Sequence, residues 1–162
     1  MPVTPATPTA RATPGGLAQI SGFPTQVTIA ADTDIEFWEK AVTPPGYDGG
    51  EPIDITTMFN TVYRTKSPGN LIEVTPISIT AAWDPILYTS LLSVINVSTV
   101  ITVTFPDGST VALYGYVQKA EPQEVSKEDS DQPEIAITIQ PTSWDGLGFE
   151  AAPVVAEVSG TP

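Results

Sequence analysis

A chain of 162 residues, 41% of them hydrophobic, is long enough for one domain, since a globular chain of this size buries about 70% of the surface that its unfolded form exposes. The sequence has no cysteine and no histidine, which excludes disulfides, thiolate nucleophiles, the Ser-His-Asp triad and metal sites built on those ligands. Nineteen acidic against six basic residues give a net charge of −13, so the surface repels nucleic acid.

The N-terminal segment, residues 1–16, reads MPVTPATPTARATPGG and contains four prolines and four threonines. Such a composition builds no core and favours extended, polyproline-like geometry, so we predict an extended arm over residues 1–22. A disordered tail fits the same composition. The segment also has no apolar stretch and a single basic residue, so we expect neither a secretory signal nor a transit peptide.

A pattern of strands begins at Gln26. Residues 26–30 alternate between apolar and polar side chains, and residues 35–42 place Phe37 and Trp38 among other residues that favour strands. Further along, apolar side chains recur at every second position, at Ile77, Ile79, Ala81 and Trp83. This period predicts a strand that is buried on one face.

A change of period at Asp84 and Pro85 predicts the start of a helix, because Asp is a preferred N-cap and Pro a preferred first helical residue. Apolar residues then repeat on one face, at Leu87, Leu91, Val94 and Ile95. We therefore predict one short helix over residues 85–95. The longest apolar runs of the chain fall far short of the roughly 18 residues that span a bilayer, so we expect a soluble protein with no membrane insertion.

Downstream of the helix the chain returns to strands. Residues 101–105 and 111–117 alternate on either side of Pro106-Asp107-Gly108, and Asp-Gly between alternating runs predicts a hairpin. Residues 121–134 hold six acidic residues against one lysine, which is typical of a solvated loop. Residues 135–139 alternate again and predict the last strand.

The C-terminal segment, residues 146–162, shows little periodicity, so we expect an irregular tail there. About seven predicted strands and one helix then fall within residues 23–145, which we predict to be the domain. This count favours a mainly β fold, a β-sandwich or partly closed barrel with one flanking α-helix.

The segment 43–60 reads TPPGYDGGEPIDITTMFN and combines prolines, glycines and acidic residues. Its carboxylates, Asp48, Glu51 and Asp54, stand at spacings of three and suggest a Ca²⁺ loop, because hard cations bind several carboxylate oxygens. The ligand order of an EF-hand is missing and Pro52 stiffens the middle, so we favour a solvated or interface loop. A carboxylate pair for glycoside hydrolysis stays open, although nothing singles out a pair among the nineteen acidic residues.

The three tryptophans, Trp38, Trp83 and Trp144, suggest either a sugar-stacking platform or ordinary core and interface residues. We favour the second for Trp38 and Trp83, because each lies in a strand pattern with apolar neighbours. Threonines occupy the outward face of several predicted strands, at Thr28, Thr80, Thr102, Thr104 and Thr138. A monomer typically places more charge on such a face, which prevents edge pairing, so this face suggests packing against other copies.

A series of short motifs follows in order along the chain. They are W-E-K at residues 38–40, P-P-G-x-D-G-G at 44–50, I-D-x-T-T-M-x-N at 53–60 and R-T at 64–65, with further segments at 82–85, 104–109 and 141–144. This series resembles the tail tube (major tail) proteins of long, non-contractile-tailed bacteriophages. The resemblance covers roughly residues 35–158, and the motifs are specific as a run in this order. The chain departs from the family at Ile55, where Thr is common, at Phe59, where His is common, and at Gly69-Asn70, where basic residues often stand.

The resemblance implies a β-sandwich with a flanking helix that closes into hexameric rings, which stack into a tube around a tape measure protein. It implies a structural subunit of the virion tail, assembled in the host bacterial cytoplasm, with no catalytic, cofactor-binding or metal-binding residues. The implied partners are further copies of the chain, the tape measure protein, and tail terminator and tail-tip proteins. DNA would pass through the lumen without specific binding, because a net charge of −13 repels its phosphates.

The resemblance also assigns the loop over residues 43–70 to ring stacking, and Arg64 to an ion pair across a subunit or ring boundary. The candidate assembly residues are Trp38, Pro44, Pro45, Asp48, Gly49, Gly50, Asp54, Thr56, Thr57, Met58, Asn60 and Arg64. The alternative function is a β-sandwich carbohydrate-binding or decoration module on a virion or surface particle. An acid-base hydrolase is the weakest hypothesis.

Overall fold

The computed structural model describes residues 25–32, 35–106, 108–125 and 132–157. The predicted N-terminal arm over residues 1–22 lies outside the described residues. So do Asp107 of the predicted turn, residues 126–131 of the predicted acidic loop and residues 158–162 of the predicted tail. No helix in the described part of the chain is long and apolar enough to cross a membrane.

The described residues form eleven strands and one helix. In chain order these are β1 Gln26–Ile29, β2 Glu39–Thr43, β3 Tyr47–Asp48, β4 Ile53–Asp54, β5 Lys66–Ser67, β6 Glu73–Val74, β7 Ile77–Ala82, α1 Pro85–Val94, β8 Thr99–Thr104, β9 Thr110–Pro122, β10 Glu134–Pro141 and β11 Val154–Ala156. Seven strands build one antiparallel sheet, and the short strands β3 to β6 form two separate ladders. The predicted mainly β fold with one helix is confirmed.

The large sheet runs in the order β1-β8-β9-β10-β7-β2, with β11 beside β9. The long strand β9 connects its two halves, because the first half of β9 pairs with β8 and the second half with β10. A register shift between Thr138 and Ile139 marks a bulge, which typically bends a strand. The sheet does not close into a barrel, but its edge strands approach where Val27 N donates to Glu39 Oε1 at 3.1 Å.

The core is one apolar cluster that takes side chains from both halves of the sheet and from α1. Alternate residues of the strands point into it, as in β10, where Ile135, Ile137 and Ile139 are all buried. The helix contributes Leu87, Leu91 and Val94. Each fully buried side chain of this size stabilises the fold by about 1.5–3 kcal/mol. The alternation of apolar and polar residues places these side chains on the inner face of the strands, and it therefore accounts for most of the strands of the sheet.

The helix lies where the sequence predicts it. Asp84 Oδ1 accepts a hydrogen bond from Ile86 N at 2.8 Å, so the carboxylate caps the first turn as expected of an N-cap aspartate. Pro85 stands at the first helical position, where its missing N–H costs nothing. The helix ends at Val94, one residue before the predicted end.

Residues 35–37 and the C-terminal segment differ from the sequence-based expectation. Residues 35–37 lie outside the ladder and β2 begins at Glu39, although Ile35 and Phe37 are buried. Their alternation therefore reflects burial beside the sheet and not strand pairing. Within the expected irregular tail, β11 pairs with residues 110–112 of β9. Three residues are too few to show a period in the sequence.

Candidate assembly surface

Residues 46–75, which we call the long hairpin, leave the sheet after β2 and return to it before β7. At its base Gly46 N donates to Thr75 Oγ1 at 2.8 Å, and Thr75 N donates to Gly46 O at 2.9 Å. The ladders of β3 with β6 and of β4 with β5 continue this antiparallel pairing outward. At about 3.3 Å per residue, the turn lies at most about 50 Å from the base. The predicted loop over residues 43–70 is therefore a paired element, largely exposed to solvent.

Several predicted assembly residues hold the tip of the long hairpin, residues 55–65, in shape. Thr65 N donates to Thr56 Oγ1 at 3.0 Å. Asn60 closes the turn, because its Oδ1 accepts from Thr57 N at 2.9 Å and its Nδ2 donates to Thr65 Oγ1 at 2.7 Å. The polar atoms of these side chains are therefore used inside the tip, and they order the backbone that carries its apolar residues.

The two aspartates of the long hairpin also act within it. Asp48 Oδ1 accepts from Gly50 N at 2.8 Å, beside the positive φ of 74° that glycine tolerates. Asp54 Oδ1 accepts from Thr56 N at 2.9 Å. Hydrogen bonds from the hydroxyl and the backbone N–H of Thr56 lower the pKa of Asp54 below its ordinary value. Among the described residues, no group of three or more acidic side chains is arranged to hold a metal ion.

The long hairpin carries a large share of the exposed apolar surface. Met58 is 99% exposed and Phe59 94% exposed. Nine of the eighteen large hydrophobic residues exposed in the described chain lie on this element, namely Tyr47, Ile53, Ile55, Met58, Phe59, Val62, Tyr63, Leu71 and Ile72. Contiguous exposed apolar surface on a soluble chain marks an interaction site. The tip is therefore the strongest candidate for a contact with another molecule.

Two of the six cations, Arg64 and Lys66, also lie on the long hairpin. Lys66 stands opposite Asp54 in the β4–β5 ladder, but neither cation lies within ion-pair distance of a carboxylate in the described part of the chain. By contrast, Lys40 and Lys119 form ion pairs with Glu134 and Glu121, each at 2.7 Å. Arg64 thus adds to the apolar tip a positive charge that has no ion-pair partner among the described residues.

A groove of about 460 Å³, which we call the base groove, lies between the base of the long hairpin and the end of β10. Its walls include apolar Leu71, Ile72, Val74 and Pro141 and acidic Asp48 and Glu73. Asp48 and Glu73 are cross-strand partners in the β3–β6 ladder. Like charges at such positions destabilise a ladder, so this end of the hairpin favours a cation from outside.

The other predicted assembly residues lie away from the tip. Trp38 is half-buried, and its carbonyl oxygen accepts a backbone hydrogen bond from β7 at 2.9 Å, so it helps to hold β2 on the sheet. Pro44 and Pro45 lead into the long hairpin. Gly49 passes so near to Gly69 that a Cβ added at Gly69 would lie 2.6 Å from Gly49 O. These residues shape and anchor the hairpin, and the structure does not bring them to the tip.

Outside the long hairpin, the turn over residues 144–150 exposes apolar side chains. Asp145 Oδ1 orders this turn by accepting from Leu147 N at 2.7 Å and Phe149 N at 3.1 Å. Trp144 is 54% exposed. Trp83, in contrast, packs against the core with its ring 5.1 Å from that of Tyr88. The tryptophans therefore do not form a common platform.

Of the nine exposed hydrophobic residues on the long hairpin, only Met58 was among the predicted assembly residues. The residues that were not predicted are Tyr47, Ile53, Ile55, Phe59, Val62, Tyr63, Leu71 and Ile72, together with acidic Glu73 and basic Lys66. A signal was present, because large apolar residues without a period stand inside a segment rich in glycine, proline and asparagine. Such residues have no place in a core, so they indicate a surface that is covered in an assembly.

Comparisons with known proteins support the fold. The sequence matches no protein-family model and no curated protein sequence. The structure resembles a chain of the PVC extracellular contractile injection system in its sheath/tube terminator, with a TM-score of 0.60 and 13% identity over 87% of this chain and 99% of that one. It also resembles a chain of the anti-feeding prophage baseplate, with a TM-score of 0.59 and 8% identity over 92% of this chain and 99% of that one.

A third similar chain comes from the PVC sheath-tube complex in the extended state. The TM-score is 0.56 at 15% identity, over 83% of this chain and 88% of that one. Two of the three similar chains belong to the PVC extracellular contractile injection system and one to the anti-feeding prophage baseplate. At these identities the likeness shows a shared fold.

Proposed function

We propose that this protein is a non-enzymatic structural subunit of a bacteriophage tail tube, in which hexameric rings stack into a channel that conducts DNA into the host. The main support for this proposal is the exposed surface of the long hairpin. It projects beyond the sheet and exposes nine large hydrophobic residues to water, together with Arg64. Stacked rings give every hairpin a neighbouring copy that covers this surface, whereas a monomer leaves it in water.

The sheet offers a second surface for other copies. The face opposite the core is poor in charge, because Thr28 stands beside Thr102 and Ser78 beside Thr138 in register. Pairing of edge strands between neighbouring subunits would remove exposed edges, which are otherwise a hazard for aggregation. A ring with a continuous inner barrel therefore suits this sheet.

The net charge of −13 suits a channel for DNA. Cations in the lumen would hold phosphates at every ring, while an acidic lumen lets them pass without binding. The partners in this proposal are further copies of the chain, a tape measure protein in the lumen, and terminator and tail-tip proteins at the ends. The complete tube belongs to the virion tail and is assembled in the host cytoplasm.

The assignment to non-contractile tails rests on the run of motifs between residues 38 and 65. Two of the similar structures come from an extracellular contractile injection system and the third from the anti-feeding prophage baseplate, and at their low identities they support the fold alone. The sequence motifs are therefore the support for a non-contractile rather than a contractile tail, because the fold does not distinguish the two.

Negative-stain electron microscopy of the purified protein tests this function. We expect rings or hollow tubes as concentration and salt increase, because the screening length falls from about 30 Å at 0.01 M to about 3 Å at 1 M salt and reduces repulsion between copies. Six-fold averages of end views would establish the ring. A protein that stays monomeric at every salt and concentration, also with tail-tip and tape measure partners present, would contradict the proposal.

The second candidate, a carbohydrate-binding or decoration module, is favoured by one observation. Trp144 is 54% exposed and Phe149 70% exposed on the same turn, and aromatic faces stack on sugars. A glycan screen distinguishes the two functions. Binding that Trp144→Ala abolishes, in a protein that forms no rings, would establish the module.

A further inference from the structure

We propose that the base groove is the docking site for the hairpin tip of a second copy of this chain. The inference rests on the proposed function and names the acceptor surface of the stacking contact. Both surfaces belong to the long hairpin, the tip at residues 55–65 and the groove where β6 meets the end of β10. The hairpin thus carries a donor surface at one end and an acceptor surface at the other.

The apolar chemistry of the two surfaces matches. The tip presents Met58 and Phe59 almost completely exposed, with Tyr63 82% exposed beside them. The groove presents Leu71 and Ile72, which are also largely exposed in the single chain. Docking removes apolar surface from water on both sides, and this is the main favourable term in association.

The charges of the two surfaces also match, and they select a copy of this chain as the occupant. The tip carries Arg64, which has no carboxylate within ion-pair distance in the described part of the chain. The groove carries Asp48 and Glu73, two carboxylates opposite each other in one ladder. An incoming arginine relieves the repulsion between them and gains charge-assisted hydrogen bonds. In a chain of net charge −13, such a basic and apolar surface is rare.

The contact propagates from copy to copy. The ladders β3–β6 and β4–β5 separate the tip from the base, so a hairpin that keeps its pairing does not fold its tip back into its own groove. Each copy therefore gives one tip and receives another. Such a head-to-tail contact uses two different surfaces and extends without limit unless a terminator covers the last groove.

A charge exchange tests the ion pair. Arg64→Glu and Glu73→Lys should each reduce the yield of tubes about tenfold or more, because each places like charges at the contact. An equal mixture of the two variants should recover tubes, since the reversed tip meets the reversed groove and the unchanged tip meets the unchanged groove. The double variant should recover them as well. Ser98→Glu adds a negative charge on the exposed loop after α1, away from both surfaces of the contact, and should leave the yield unchanged.

Crosslinking tests the contact itself. Because the sequence contains no cysteine, a maleimide crosslinker reacts only with the cysteines that are introduced. Thr61→Cys, at an exposed position of the tip, and Ser143→Cys at the groove should form a mixed dimer with a short bismaleimide when the two variants assemble together. Ser98→Cys, on an exposed loop after α1, serves as the control partner and should give none. Crosslinks between two copies of the Thr61→Cys variant, in place of the mixed dimer, would overturn the proposal in favour of a tip-to-tip contact.

The outcomes separate this inference from the proposed function. If the wild-type protein forms tubes but the charge exchange recovers none and no mixed crosslink forms, the docking of the tip in the base groove is wrong and the tube function stands. Absence of any assembly would overturn the tube and the groove with it. Occupation of the groove by residues 1–24 of the same chain predicts that their removal exposes Ser143→Cys to a bulky maleimide, and that result would also overturn docking by a second copy.

Discussion

Replacing Phe59 with alanine should separate assembly from folding. The side chain is 94% exposed in the single chain, so it contributes almost nothing to the core. We expect Phe59→Ala to raise the critical concentration for tube formation while leaving the free energy of unfolding unchanged. The matched control is Phe37→Ala, which removes the same ring from a site that is 0% exposed.

The magnitude follows from burial. Complete burial of a phenylalanine side chain contributes about 1.5–3 kcal/mol, and each 1.4 kcal/mol is a factor of about ten in an equilibrium constant. If each added subunit buries one tip, the critical concentration should rise about 10-fold to 150-fold. The unfolding free energy of Phe59→Ala should stay within about 0.5 kcal/mol of wild type, whereas Phe37→Ala should lose about 3–5 kcal/mol.

Two assays measure these quantities on the same samples. Sedimentation across a range of concentrations gives the critical concentration, and urea unfolding below that concentration gives the stability of the monomer. Assembly of Phe59→Ala at the wild-type concentration would show that the tip stays in water in the tube. Unfolding of Phe59→Ala as easily as Phe37→Ala would show that the ring packs on its own chain. Either result would refute the assignment of Phe59 to the contact.

Gly69→Ala should abolish assembly without destabilising the core, because its Cβ would lie 2.6 Å from Gly49 O, whereas Gly49→Ala meets nothing within 4 Å and should assemble normally. Asp84→Ala should lower Tm by roughly 2–4 °C by removing a helix cap of about 1 kcal/mol, with Asp84→Asn as the control that keeps the cap. The pKa of Asp54 is lowered in the folded chain, so its contribution to the order of the tip is present above the unfolded pKa of about 3.9 and is lost as pH falls through the lower, folded pKa. NMR titration should show that midpoint moving upward in Thr56→Val, and an unchanged midpoint would contradict the role of Thr56.

The sequence predicts the sheet and the helix well because their signals are local and repeated. Alternation at Ile135, Ile137 and Ile139 identifies a strand with one buried face, and Asp84 with Pro85 identifies the start of the helix. The alternation of apolar residues predicts a strand wrongly where a residue is buried but does not belong to a hydrogen-bonded strand. Phe37 alternates like a strand residue, yet it lies beside the ladder and fills the core from outside it.

The sequence predicts which segment contains the candidate site, but not the strand pairing and the groove that this segment forms. Composition and motifs single out residues 43–70, and the resemblance assigns them to stacking. The pairing of β3 with β6 joins residues about 25 positions apart, and no local pattern specifies such a register. The base groove depends further on Pro141 and Ser143, which stand far along the chain from Leu71 and Glu73.

The sequence alone therefore determined the class of fold, the position of the helix, the acidic character of the molecule and the segment where the candidate assembly residues concentrate. These properties depend on composition, on short periods and on single residues such as Asp84. Only the tertiary structure decided that this segment is a paired hairpin with an apolar, basic tip and an acidic groove at its base. The physical reason is that surfaces are made by residues brought together across long separations, and the cost and gain of those contacts are set by the whole fold.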